Sequence, residues 1–247
     1  MKKKLLFIAI LSASLSTLNA QNEQLTLPEQ TEIWIPEPKV VVPGTETTAP
    51  SDAYILFDGK NATAWQHADG KPVQWAIENG AMTVVKGTGE IISKQSFGDC
   101  QMHIEWRSPV ESDDLKGQQK GNSGVFFQGR YEVQVLNSYK NRTYSNGQAG
   151  AIYKQHAPLA NACRPIGEWN TYDIIFQAPH WRANGSRETP GYFTVIHNGI
   201  LVQNHVEIQG STEYIGAPIN KAHGDAPIKL QDHGNAVSYR NIWIRSL

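Results

Sequence analysis

The residues best suited to chemistry sit close together between Gly121 and Ser138, which reads GNSGVFFQGRYEVQVLNS. At the two-residue period of a strand, Glu132, Gln134 and Leu136 share one side, and Tyr131, Val133 and Val135 share the other. A carboxylate and a carboxamide, with Asn137 just beyond, therefore stand on an otherwise apolar strand. Burying unpaired polar groups is expensive, so such a cluster is expected to face a wet cleft or a ligand. Asn122 and Ser123 sit in the preceding Gly-bounded turn, where backbone preference alone accounts for them.

Three further groups carry weaker signals. On Gln101–Arg107, the residues His103, Glu105 and Arg107 share a face opposite Met102, Ile104 and Trp106. That polar face is either a solvated Glu–Arg ladder or the concave side of a sheet, where Glu105 and Arg107 would meet a sugar. Near the C-terminus, Leu230-Gln231-Asp232-His233-Gly234 sets an imidazole beside a carboxylate, either an oriented acid or base or a simple turn. Arg240 lends charge to a cleft or pairs with an edge carboxylate. Trp65, Trp75, Trp169 and Trp181 could stack on sugar rings, or fill a core. His156, His180, His205 and His223 lack metal-ligand spacing. Asp113 and Asp114 could touch a surface calcium, but no D-x-D-x-D loop surrounds them. No cofactor is evident, and a bound Ca2+ stays an open question. No phosphate-cradling Gly loop and no Ser-centred nucleophile elbow is present.

Strands must position these groups. Strand-like runs occur at Met82–Val85, Gln101–Arg107, Val125–Gln128, Tyr131–Leu136, Thr171–Gln177, Tyr192–His197, Ile200–Gln203, Ile228–Gln231 and Val237–Arg245. Turn chemistry separates them, most clearly at Glu78-Asn79-Gly80 and His197-Asn198-Gly199. No long amphipathic helix is apparent. The expected fold is all-β, a two-sheet antiparallel sandwich or jelly roll, over residues 51–247.

The rest of the chain bounds the setting. Lys2–Lys4, the apolar Leu5–Leu11 and Ala20 before Gln21 read as a secretory signal peptide over residues 1–20, too short to span a membrane. Residues 21–50 carry Pro28, Pro36, Pro38, Pro43 and Pro50 and read as an extended arm or linker. An exported, periplasmic protein follows. A net charge of −1 with no basic tract argues against nucleic acid as a partner. Cys100 and Cys163 are the only cysteines and could pair or remain buried thiols. Oligomeric state is not legible.

Two resemblances bear on function. Laminarinase-like β-glucanases carry E-x-D-x-x-E on a strand, and the same spacing here reads Glu132-Val-Gln134-Val-Leu-Asn137. Retaining hydrolysis needs two carboxyls roughly 5 Å apart. This strand offers one, so Glu105 or Asp232 must supply the second, or the chemistry differs. More extensively, the chain resembles the 3-keto-disaccharide hydrolase family from about residue 52 to its end. The ordered motifs are Tyr54-Ile-Leu-Phe-Asp-Gly-Lys-Asn61, Trp65, Trp75–Gly80, Ile104–Arg107, Gly121–Gly124, Tyr131–Gln134, Gly167–Asn170, Asn198-Gly199, Leu230–Gly234 and Arg240–Ile242.

That resemblance implies a fold similar to concanavalin A-like lectins and glucanases, and a carbohydrate substrate already oxidised at C3. One base would remove the acidified C2 proton, donors would stabilise the enolate, and the C1 oxygen would leave. Matched by position, the motifs imply Glu132, His233, Glu105 and Asp232 as catalytic candidates, with Glu132 or His233 as base. Arg107, Asn122, Gln134, Gln231 and Arg240 are the implied substrate-binding candidates, with Arg107 or Arg240 on the enolate. Where many relatives carry Asp after Gln-x-Leu, this chain has Asn137. A conventional β-glucanase, a lectin-like binding module and a structural interaction domain are the alternatives.

Overall fold

The computed structural model describes residues 26–110 and 114–247. The leader and Asp113 lie outside the described residues. The chain divides into two units, Met1–Val40 and Val41–Leu247. In the first, the described residues form one 3-10 turn, Pro28–Thr31, and Ile33, Trp34 and Ile35 are exposed. Residues 41–50 belong to the second unit. There the Val42 carbonyl accepts from Ser51 N at 3.0 Å, and the Glu46 carbonyl accepts from Asn241 Nδ2 at 3.1 Å.

The strands of the second unit are β1 (Tyr54–Phe57), β2 (Trp65–His67), β3 (Ala76–Glu78), β4 (Ala81–Thr83), β5 (Ile91–Phe97), β6 (Cys100–Arg107), β7 (Ser123–Phe127), β8 (Tyr131–Val135), β9 (Asn170–Gln177), β10 (His180–Trp181), β11 (Arg187–Thr189), β12 (Tyr192–His197), β13 (Ile200–Glu207), β14 (Ala226–Leu230) and β15 (Ser238–Ser246). The larger sheet runs β13-β12-β9-β6-β15-β4-β3, with β1 also paired to β15. The smaller runs β2-β5-β14-β7-β8, and β10-β11 form a separate ribbon. The pairings are antiparallel, as the short Gly-rich connections require. The two-residue hairpins fall where expected. Asn79 and Gly80 (φ 52° and 74°) join β3 to β4, and Asn198 and Gly199 (φ 50° and 79°) join β12 to β13.

The core lies between the two main sheets. Met102, Ile104 and Trp106 of β6 and Tyr172, Ile174 and Phe176 of β9 are fully buried. The smaller sheet contributes Val125, Phe127, Tyr131, Val133 and Val135. Phe127 meets Phe176 and Phe193 with ring centroids 4.9 and 5.2 Å apart. Two hydroxyls tie the layers through this apolar space. Tyr172 OH donates to the Gln134 carbonyl at 2.8 Å, and Tyr239 OH donates to Ser123 Oγ at 2.7 Å. Trp65 and Trp75 are also buried, which removes them as sugar platforms; their indole N–H groups donate to the Leu56 and Gly89 carbonyls. Cys100 and Cys163 are both free thiols.

Candidate active site

The inward commitment of Tyr131, Val133 and Val135 turns Glu132 and Gln134 to the outer face of the smaller sheet. Opposite them in register, β7 places Phe126 against Glu132 and Gly124 against Gln134. Gly124 leaves the space that the Glu132 carboxylate fills. A Cβ there would collide with Glu132 Oε1 and would lie 2.8 Å from a ring carbon of Phe126. The resulting cavity of about 220 Å³ is lined by Asn122, Phe126, Glu132, Gln134, Tyr153, Thr212, Tyr214, Gln231 and His233.

Glu132 is 4 % exposed. Burial pushes its pKa up to about 8, although the Lys229 charge opposes the rise. Lys229 Nζ itself sits 4.1 Å from the Phe126 ring centroid and 3.4 Å from Glu90. In the amide orientation that satisfies its neighbours, Gln134 Nε2 donates to Glu132 Oε1 at 2.9 Å and to the Ser123 carbonyl at 3.1 Å. The amide oxygen then lies 3.3 Å from Asn122 Oδ1 and 3.0 Å from Gln118 Oε1, so it accepts a hydrogen bond only when those two amides turn as well. Glu132 is thus a desolvated carboxyl steadied by one neutral donor, an arrangement suited to taking a proton rather than to permanent ionisation.

The opposite wall is phenolic. Tyr153 OH and Tyr144 OH are 2.6 Å apart, and Lys154 Nζ lies 4.6 Å from the Tyr214 ring centroid. Burial, the Tyr144 hydrogen bond and the nearby Glu132 charge all raise the Tyr153 pKa, so this phenol keeps its proton and can donate. The exposed His233 stands at the rim. Its loop is held by Asp232, whose Oδ2 accepts from Gly87 N and Gly89 N at 2.8 and 3.0 Å and whose Oδ1 accepts from Gly234 N at 2.9 Å. Both carboxylate oxygens are occupied by backbone amides, so Asp232 shapes the loop and does not line the cavity.

The structure therefore brings together Asn122, Glu132, Gln134, Gln231 and His233. It does not add Glu105, Arg107 or Arg240. Because Met102, Ile104 and Trp106 face the core, β6 turns His103, Glu105 and Arg107 outward on the other sheet, and Arg240 of β15 joins them there. Glu105 cannot serve as the second carboxyl beside Glu132. Nor is it solvated: it is 7 % exposed and accepts from Arg240 Nε at 2.6 Å and Asn241 Nδ2 at 2.9 Å. Arg107 stacks its guanidinium over Trp169 at 4.7 Å. Asn137 lies beyond the end of β8 and outside the cavity.

Phe126, Tyr153, Thr212 and Tyr214 escaped sequence reasoning. Phe126 shares the Gly124 side of β7 at the two-residue period and was legible in principle. The other three come from loops far from β8 in the chain. Thr212 Oγ1 reaches the Glu132 backbone N–H at 3.0 Å, a pairing no spacing rule anticipates. Among the described residues, no cluster of three or more His, Cys, Asp or Glu could hold a metal ion.

A Parabacteroides distasonis protein of solved structure, provisionally named a glycosyl hydrolase, is 52 % identical over 90 % of this chain and 97 % of its own, with a TM-score of 0.86. A second structure from that organism, also provisionally named a glycosyl hydrolase, is 19 % identical over 79 % of this chain and 94 % of its own; its TM-score of 0.58 speaks to the fold alone. A Bacteroides thetaiotaomicron protein named 3-keto-disaccharide hydrolase is 23 % identical over 80 % of this chain and 79 % of its own. The family model described as a 3-keto-alpha-glucoside-1,2-lyase-like domain matches residues 52–245, which include both sheets and every wall of the cavity, and the chain belongs to that family.

Proposed function

We propose that this protein cleaves the glycosidic bond of 3-keto-glycosides, by elimination followed by hydration. The observation that carries the reading is the solitary acid of the cavity: Glu132 is the one carboxyl among its lining residues, and its pKa is pushed up to about 8. Direct glycoside hydrolysis by either usual route needs two carboxyls flanking the bond. A C3 ketone removes that need by acidifying the C2 proton.

In the proposed sequence Glu132 takes the C2 proton, and the electron pair moves into an enolate with its charge on the C3 oxygen. Tyr153, protonated and facing the same space, donates to that oxygen, the role that Arg107 and Arg240 are too far displaced to fill. The enolate then expels the C1 oxygen, which His233 at the rim protonates. Water adds across the resulting double bond, so the net change is hydrolysis with no glycosyl–enzyme bond. Gln134 orients the carboxylate, and with Asn122 it holds hydroxyls. The leader fits export, which would place this activity in the periplasm. The names carried by the relatives support a carbohydrate substrate.

The test offers a chromogenic glucoside and its 3-keto counterpart to wild type and Glu132→Gln. Release from the keto form alone, reduced at least about 10²-fold in the variant, is expected. Equal release from the unoxidised glucoside would overturn the reading in favour of an ordinary glucanase. Saturable binding of both without release would favour a lectin.

A further inference from the structure

We propose that the outer face of the larger sheet carries a second, non-catalytic site that binds a neutral saccharide. A groove of about 920 Å³ opens there, within the ordinary range for sites that hold ligands of disaccharide size. Its lining includes Trp169, Trp243, Arg164, Arg240, Asp173 and Asn241. It faces away from the Glu132 cavity, because the two sites occupy the outer faces of different sheets.

Both aromatic surfaces are held in place before any ligand arrives. The Trp169 ring has the guanidinium carbons of Arg107 and Arg240 at 4.7 and 4.2 Å from its centroid. Trp243 lies parallel to His103, with centroids 5.4 Å apart and planes 11° apart. His103 is in turn fixed by Asp173 Oδ1, 2.7 Å from its Nδ1. Rigid indoles lose little entropy when the C–H face of a pyranose packs on them.

The polar groups offer donors and acceptors together. Arg240 uses only Nε on Glu105, so its terminal nitrogens have no hydrogen-bond partner among the described residues. Arg164 is exposed, and its guanidinium likewise has no such partner. Asp173 gives one oxygen to His103 and keeps the other free on a side chain 42 % exposed. A vicinal diol accepts from a guanidinium and donates to a carboxylate at once, which this pairing provides. A strongly anionic ligand would meet Asp173, Asp58 and Glu46 in the same groove, and a cation would meet Arg164 and Arg240. A neutral polyol satisfies both signs.

Indole fluorescence reports on this site selectively, since no tryptophan lines the Glu132 cavity. Titrating the full chain with cellobiose and with maltose, neither of which is the proposed 3-keto substrate, should give a saturable change with a half-point in the millimolar range for at least one sugar. Arg164→Ala, at an exposed position, should weaken it about tenfold, the loss of one charge-assisted hydrogen bond. Trp243→Phe should remove most of the signal. Thermal melts verify that each variant is folded, and Arg164→Ala alone decides the matter if Trp243→Phe is not. No saturable change with either sugar overturns the site. So does a titration unaltered by Arg164→Ala, or a response to glucuronate alone.

Discussion

Glu132 owes its chemistry to what surrounds it rather than to its type. A carboxyl in water is ionised at neutral pH, whereas this one is buried against Phe126 with Gln134 as its neutral donor, and its pKa rises to about 8. If its ionised form is the base, kcat/KM for a 3-keto substrate should climb about tenfold per pH unit below 8 and level off above it. A profile flat from pH 6 to 9 would remove Glu132 from that role. The same shift has a stability consequence of definite sign. The folded pKa exceeds the unfolded value near 4.5, so the contribution of Glu132 is fully present below that value and is lost as pH rises through about 8. Glu132→Gln should therefore gain on wild type across that interval, by on the order of a few kcal/mol, as read from urea midpoints at pH 5 and pH 9.

At the scale of elements, the site depends on the pairing of β7 with β8. One strand supplies the carboxylate and the other supplies the space for it at Gly124. Gly124→Ala adds a single methyl, yet that methyl collides with Glu132 Oε1. The expected result is a fall in activity of about a hundredfold or more with a stability loss of only about 1–3 kcal/mol. Steady-state kinetics beside a denaturation curve checks both, and wild-type kcat in the variant would count against the packing account. The alternation of β8 was readable from residues 131–135 alone. The strand β5 was not, because its exposed Lys94, Gln95 and Ser96 interrupt the two-residue period. Pairing with β14 and β2 organises that strand despite its weak pattern.

At the scale of the whole molecule, the two outer faces have opposite electrostatics. One holds a carboxyl that resists ionising, the other a network held charged. Burial would raise the Glu105 pKa, but the His103 imidazole 3.9 Å away and the hydrogen bonds from Asn241 and Arg240 outweigh it and hold the value down at about 2. Burial would also lower the His103 pKa, but Asp173 and Glu105 push it up to about 9. Glu105 thus stabilises the fold above its unfolded pKa near 4.5, and that contribution is lost as pH falls through about 2. His103 stabilises below 6.5, and its contribution is lost as pH rises through about 9. Glu105→Gln should cost about 2 kcal/mol near pH 6, less than a fully buried pair because the Arg240 side chain is 42 % exposed. The cost should shrink toward pH 2, and a pH-independent difference in melting would contradict the assignment. The thiols give a separate check. Ellman titration should find two in denaturant, while in the native protein Cys100, buried with its pKa pushed up to about 12, should stay unreactive.

The local pattern by itself determined most of the strands around the site, which side of each is apolar, and that Glu132 and Gln134 share one side of β8. Alternation and turn chemistry act over a few residues, and those are written in the chain. It also brought His103, Glu105 and Arg107 to one face of one strand. What only the tertiary structure decided is which sheet each strand joins, and therefore which polar faces meet. β6 and β8 each have one apolar and one polar side, and nothing local distinguishes them. Once the apolar sides are buried against each other, the polar sides must point in opposite directions. That single consequence of hydrophobic burial separates Glu105 from Glu132 and leaves one carboxyl in the cavity.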